Sequence, residues 1–310
     1  MAGTPNSGKT GVKYGFPKVT DDELLNMGNM ACAGCGMILA VRHAMKALGE
    51  NTIMVNVTSC STVVMQRGVT KVPYIHSLFE NGAAVAAGID SGLEMMGKRD
   101  NTNILVVAGD GSTVDIGLGA ISAAVERRHN FIYMCYDNES YMNTGGQRSG
   151  STPYGTATTT SPVGKVVRGE NRPQELVRDL GEMLITQGCR YVAKSSVAYP
   201  LDIIKKFENA SKIDGTSFIT VHAPCPTGWG FDTSKTIEVA KLAVKTGFTV
   251  MFEYIDGVRT LQKVPEKRLP IKEYLKHQRR FRHLLEDENE IQKIQAAVDA
   301  KLERIKRSCK

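Results

Sequence analysis

The chain has no run approaching the ~18 uninterrupted apolar residues of a membrane-spanning helix, and its start lacks the basic-then-apolar order of a secretory leader. Both absences argue against a membrane protein and make the cytoplasm the expected compartment. No internal repeat is visible. The last 48 residues, from Lys263, carry 14 Lys/Arg against 8 Asp/Glu, a net +6 of the chain's +7. Few aromatics are interleaved there and the signs alternate, as in KEYLKHQRRFRHLLEDENEIQKIQ. That pattern describes solvated helical faces rather than a nucleic-acid surface, with docking of an acidic protein partner as a second use. Seven cysteines are an odd number in a chain without an export signal, so metal ligation is expected before disulfides.

One motif lacks the context it needs. Gly3 to Thr10 read GTPNSGKT, the P-loop pattern of nucleotide hydrolases. A working P-loop needs a strand leading in and a helix leading out. Only Met1 and Ala2 precede it, and GVKYGFPKV, with two glycines and a proline, follows. The expected role is a polar N-terminal arm, and a P-loop NTPase is the disfavoured alternative.

What is present is an ordinary globular composition, 42% hydrophobic and 23% charged over 310 residues, enough for a large core. Apolar runs recur at TIMVNV from Thr52, NILVVA from Asn103, NFIYMCY from Asn130, SFITVH from Ser217 and TVMF from Thr249. Between them lie helical patterns such as CGMILAVRHAMKALG and IGLGAISAAVERR. Strands that are apolar throughout and alternate with helices predict a doubly wound α/β fold with a mostly parallel sheet. Residues 1–262 are expected to form this domain and residues 263–310 a basic helical extension. Residues 142–165, MNTGGQRSGSTPYGTATTTSPVGK, form a long loop of the kind that usually serves function or is disordered.

The most informative stretch runs from Asn103 to Gly146. An apolar strand ends at Ala108 and is followed by Gly109-Asp110-Gly111-Ser112. The next strand ends at Asp137-Asn138, with 26 residues (112–137) between GDG and Asn138. Neighbouring strand ends put Asp110 and Asn138 on the carboxyl edge of the sheet, where ligands bind. A carboxylate and an amide oxygen are hard donors suited to Mg²⁺, and Gly109 and Gly111 let backbone N–H groups approach a diphosphate.

GDG with Asn at this distance resembles the thiamine diphosphate motif. DNESYMNTGGQRSGSTPYG is similar to the beta subunit of pyruvate:ferredoxin oxidoreductases, within the 2-oxoacid:ferredoxin oxidoreductase family. The likeness continues through NMACAGCG, SLFEN, APCPTGWG and IKEYLKHQRRFRHL, nearly end to end. It implies that Asp110, Asn138 and the carbonyl of Ser140 ligate Mg²⁺. It also implies that Gly111 and Ser112 hold the diphosphate, and that Asn143 lies beside the thiazolium and the substrate.

Cys32-Ala-Gly-Cys35 alone suits zinc, a redox dithiol or an iron–sulfur cluster, although no strand precedes it as a thioredoxin-type motif requires. Cys60 follows the strand TIMVNV, and Cys225 follows SFITVH in a Pro-Cys-Pro loop. Cys135 and Cys189 read as buried packing residues, and Cys309 as a terminal one. A cubane needs four thiolates. Cys32, Cys35, Cys60 and Cys225 are the expected ligands of one [4Fe–4S] cluster, as the resemblance also implies, with zinc the competing metal. No ferredoxin-like C-x-x-C-x-x-C run is present.

The resemblance implies oxidative decarboxylation of pyruvate with coenzyme A, electrons passing through the cluster to ferredoxin. The half of a thiamine enzyme that activates the pyrimidine is not recognisable. Partner subunits of alpha, gamma and delta type are therefore expected to supply it together with ferredoxin-like clusters, and the chain alone should be inactive. Glu80 and His76 are expected in local structural roles. Competing readings are another 2-oxoacid or oxalate as substrate, a non-redox thiamine decarboxylase or synthase half, and a zinc-stabilised binding subunit.

Overall fold

A computed structural model describes residues 19–65, 68–163 and 177–309. The GTPNSGKT segment lies outside them. The strands are β1 (Thr52–Val57), β2 (Tyr74–Ser77), β3 (Asn103–Gly109), β4 (Ile132–Asp137), β5 (Tyr191–Ser196), β6 (Ser217–His222), β7 (Met251–Ile255) and β8 (Val258–Gln262). They form one sheet in the order β2-β1-β3-β4-β6-β5-β7-β8. The six strands from β2 to β5 in that order are parallel, and β7 and β8 close the edge antiparallel.

The main helices are α1 (Gly36–Leu48), α2 (Cys60–Met65), α3 (Gly82–Met95), α4 (Leu118–Glu126), α5 (Leu180–Thr186) and α6 (Pro200–Ala210). They are followed by α7 (Pro226–Trp229), α8 (Thr236–Lys245), α9 (Lys272–Leu275) and α10 (Glu288–Arg307). Side chains alternate along each strand, so every strand feeds two cores. Leu105 and Val107 face Val41 of α1 and Phe207 of α6, whereas Ile104, Val106 and Ala108 face Ala86 of α3 and Ile121 of α4. This is the doubly wound α/β arrangement expected from the apolar runs. No described helix is long and apolar enough to cross a membrane.

All five apolar runs form strands. Three further strands were not expected. β2 is only four residues long with two of them exposed, β8 alternates as an antiparallel edge strand does, and β5 (YVAKSS) turns polar halfway.

A third core belongs to the C-terminal segment. Phe281, Ile291, Ile294 and Val298 pack with Trp229 of α7 and Tyr274 of α9. Asp287 caps α10, accepting hydrogen bonds from the backbone N–H groups of Asn289 and Glu290 at 3.1 and 3.2 Å.

Candidate active site and cysteine pocket

The strand register assembles the site. Gly109 at the end of β3 lies opposite Tyr136 of β4, so Asp110 and Asn138 leave adjacent strands at the same edge. Cys60 follows β1, beside β3, and Cys225 follows β6, beside β4. Four contiguous strand ends therefore carry Cys60, the GDG turn, the Asp137-Asn138-Glu139-Ser140 turn and Cys225. The order of the strands reverses between β1 and β3, the crevice where open α/β sheets bind ligands.

Asp110, Asn138 and Ser140 are all buried. One end of the Asn138 amide lies 2.8 Å from the Ser140 carbonyl oxygen and 2.9 Å from Asp110 Oδ1, and with its nitrogen there the amide donates to both. With the oxygen inward, three oxygens crowd one point, unfavourably unless a cation sits among them. An octahedral Mg²⁺ with bonds of 2.0–2.1 Å sets neighbouring oxygens about 2.9 Å apart. The donor set fits that ion.

The electrostatics point the same way. Burial and the nearby Asp137 push the Asp110 carboxyl well above the usual carboxylate range. Among the described residues Asp110 has no cationic partner within ion-pair distance; Ser149 Oγ donates to its Oδ2 at 2.5 Å. A buried carboxylate without a cation is costly, and a divalent ion would reverse that balance. A π-helical turn, Gly111–Ile116, starts directly after Asp110, leaving its first N–H groups free for an anion. A Cβ on Gly111 would stand 2.3 Å from the Tyr141 ring, so only glycine lets that ring close over the turn. Tyr141 stacks on Phe79 and donates to Asp115 Oδ2 at 2.9 Å.

Backbone strain shapes the second turn. Glu139 adopts φ +64°, the left-handed region, which brings the Asn138 side chain and the Ser140 carbonyl to one side. Glu139 is itself fully buried and bonded to Arg280. Burial works to raise its pKa, but Arg280 and His222 outweigh burial and hold the carboxyl below its ordinary value. Arg280 lies 3.7 Å over the Trp229 ring, and Trp229 Nε1 donates to the Asn138 carbonyl at 2.9 Å. The C-terminal segment thus braces the turn from behind. Sequence reading missed Glu139, Arg280 and Trp229.

Cys32, Cys35, Cys60 and Cys225 line one pocket of about 80 Å³. Gly36 explains how the first pair reaches the last: its N–H donates to the Pro224 carbonyl at 3.3 Å, and a Cβ there would lie 2.8 Å from that oxygen. Burial, then the neighbouring Cys225, Cys35 and Cys32, push the Cys60 thiol up to about 12. Burial likewise pushes Cys225 up to about 11, although Gly228 N–H donates to its sulfur. A metal's positive charge would offset that burial and favour the thiolates of Cys60 and Cys225. Among the described residues, no three His, Cys, Asp or Glu side chains converge as a single ion requires. By residue type, the four thiols suit either a zinc ion or a cubane cluster. Cys135 and Cys189 are buried in the core, as expected.

Cys60, Asn138 and Asn143 line both the cysteine pocket and the pocket at the GDG turn, so the two share a wall. Asn143 lies on that wall. Thr58 and Ser59, which sequence reading passed over, line the GDG side. His76 Nε2 lies 3.0 Å from Thr58 Oγ1, a local contact. The Glu80 carbonyl lies near Gly117 at the end of the π-turn.

The fold and its edge define a thiamine diphosphate-binding half. Residues 49–221 match the family model described as thiamine pyrophosphate enzyme, C-terminal TPP binding domain. The chain is 47% identical over 286 residues to pyruvate synthase subunit PorB of Methanothermobacter thermautotrophicus, covering 91% of this chain and 97% of that one. It is 43% identical to ketoisovalerate oxidoreductase subunit VorB of Pyrococcus abyssi, over 90% of this chain and 91% of that one. A solved 2-oxoglutarate:ferredoxin oxidoreductase from Magnetococcus marinus shares the fold, with TM-score 0.54 and 21% identity over 73% of this chain and 82% of that one. The chain belongs to the thiamine pyrophosphate enzymes and, among them, to the beta-subunit family of the 2-oxoacid:ferredoxin oxidoreductases.

Proposed function

We propose that this chain is the subunit in which a 2-oxoacid, pyruvate first among them, is oxidatively decarboxylated with coenzyme A, electrons leaving through a [4Fe–4S] cluster towards ferredoxin. The wall shared by the two pockets carries this reading: a carbanion site and an electron acceptor belong side by side, and a non-redox thiamine enzyme has no use for four cysteines there. When bound, thiamine diphosphate supplies the carbanion-stabilising chemistry and the cluster accepts electrons singly.

The remaining tasks fall to the chain's own groups. Asp110, Asn138 and the Ser140 carbonyl would offer three oxygens to Mg²⁺, and the N–H groups of Gly111 and Ser112 would hold the diphosphate. Asn143 presents its amide between the pockets and orients the reacting carbonyl compound. Cys32, Cys35, Cys60 and Cys225 each give one thiolate to an iron. Burial of Asp110, Asn138 and Ser140 keeps bulk water from competing for the cation.

Partner subunits complete the site. Exposed Met30 lines the cysteine pocket, exposed Leu78 adjoins Phe79 of the GDG pocket, and exposed Ile116 ends the π-turn. Apolar groups left in water around a pocket mouth suit a protein partner. We assign to it the pyrimidine half and the onward clusters, with the complex in the cytoplasm.

Anaerobic co-expression with the partner subunits tests the proposal. The complex should contain iron and acid-labile sulfide in this chain and reduce a viologen dye with pyruvate and coenzyme A. A colourless chain with zinc in place of iron, or pyruvate turnover without dye reduction, overturns it. A panel of 2-oxoacids and oxalate on the same complex ranks the substrates.

A further inference from the structure

A second pocket, of about 90 Å³, lies beneath the Asp137–Glu139 turn, on the face of the sheet covered by α10. Its floor is three neighbouring strand residues: Asp137 of β4, His222 of β6 and Lys194 of β5. Lys301 of α10 enters from above, and Phe248 and Phe281 form apolar walls. The chemistry derived above does not use this pocket.

Its cations are unusually placed. Burial, then Lys194, push the Lys301 ammonium down to about 8, so the two lysines feel one another. Neither has a carboxylate within 4.0 Å among the described residues, and Lys301 donates only a long 3.4 Å bond to the Phe248 carbonyl. Acidic groups are near but engaged. Glu139 is bonded to Arg280, and Asp137 accepts from Ser151 Oγ at 2.8 Å and from Glu139 N–H at 3.1 Å. Asp179 caps α5, accepting from Glu182 N–H at 3.4 Å. These carboxylates lend Lys194 a field that outweighs its burial, without touching it. His222 is 1% exposed, and its Nδ1 has no hydrogen-bond partner. Two ammoniums without a carboxylate partner among the described residues and an unpartnered imidazole nitrogen around one small pocket describe the polar half of a binding site.

We propose that this pocket is a second ligand site, taking a short-chain carboxylate whose head lies between Lys194 and Lys301 and whose alkyl end rests against Phe248 and Phe281. A carboxylate satisfies both ammoniums at once, and about 90 Å³ holds a molecule of a few heavy atoms but not a nucleotide. The proposal is independent of what binds at the GDG turn.

Calorimetric titration of the full chain with propionate, propionamide, pyruvate and inorganic phosphate tests it. Propionate should bind saturably at one site per chain and propionamide should not. Affinity should fall at least tenfold in Lys301→Met and in Lys194→Met, and stay unchanged in Asn143→Ala, which alters the other pocket. Pyruvate binding that follows the same lysines identifies the substrate as one source of the carboxylate. Absence of saturable propionate binding, equal binding of the amide, or binding that survives Lys301→Met overturns the proposal. Tighter binding of phosphate than of propionate overturns the carboxylate assignment. The comparison of acid with amide needs only the unaltered chain, so it stands even if a lysine variant fails to fold.

Discussion

Glu139 shows how much a single residue can depend on a distant one. Its left-handed backbone turns Asn138 and Ser140 towards one point, and its buried carboxylate is held by Arg280, 141 residues away. Removing one partner of a buried ion pair strands the other charge. Arg280→Met should therefore cost about 3–5 kcal/mol in denaturant unfolding. It should also weaken Mg²⁺-dependent thiamine diphosphate binding about 10–100-fold, as loss of a group that orients a metal ligand does. Unchanged binding alongside lost stability would confine Arg280 to a structural role. Sequence alone made Asp110 and Asn138 legible, because each stands at the end of an apolar run and such ends meet at one sheet edge. It could not reveal Arg280, which sits in a basic stretch where charge ordinarily means solvent; only the fold brings it under Trp229.

Among the elements, α10 shows both sides of its sequence pattern. Its alternating charges read as a solvated helical face, and behind that face Ile291, Ile294, Val298, Leu302 and Ile305 form a buried stripe. Ile291→Ala should cost about 2–5 kcal/mol through lost burial and a residual cavity. Asp287→Ala, which removes only the cap, should cost about 1 kcal/mol. Thermal or denaturant unfolding of the two variants checks that order, and equal losses would mean the stripe contributes little. The central strands were legible because parallel strands covered on both faces are apolar throughout. β2, β5 and β8 were not: short, half-polar or alternating segments carry no such run. Cys60 and Cys225 could be placed from their positions after strands, whereas Cys32 and Cys35 follow none, and the fit of Gly36 against Pro224 that joins the two ends is a matter of ångströms and left no mark in the pattern.

For the molecule as a whole, the sheet decides which loops meet. Cys225→Ser should leave the fold intact, because this residue lies in a loop beyond β6, while iron content and viologen reduction fall to background. Iron analysis and dye assay on the assembled complex, with circular dichroism as the folding control, measure this. Full iron content in the variant would remove Cys225 from the ligand set.

Of the four cysteines, three precede β2 in the chain, and the last comes only after β6, five strands later. A ribosome has released most of the sheet before that sulfur exists. A group held by all four can therefore be bound only after the first six strands have been made. A translation product that stops short of residue 225 carries only three of the four thiols.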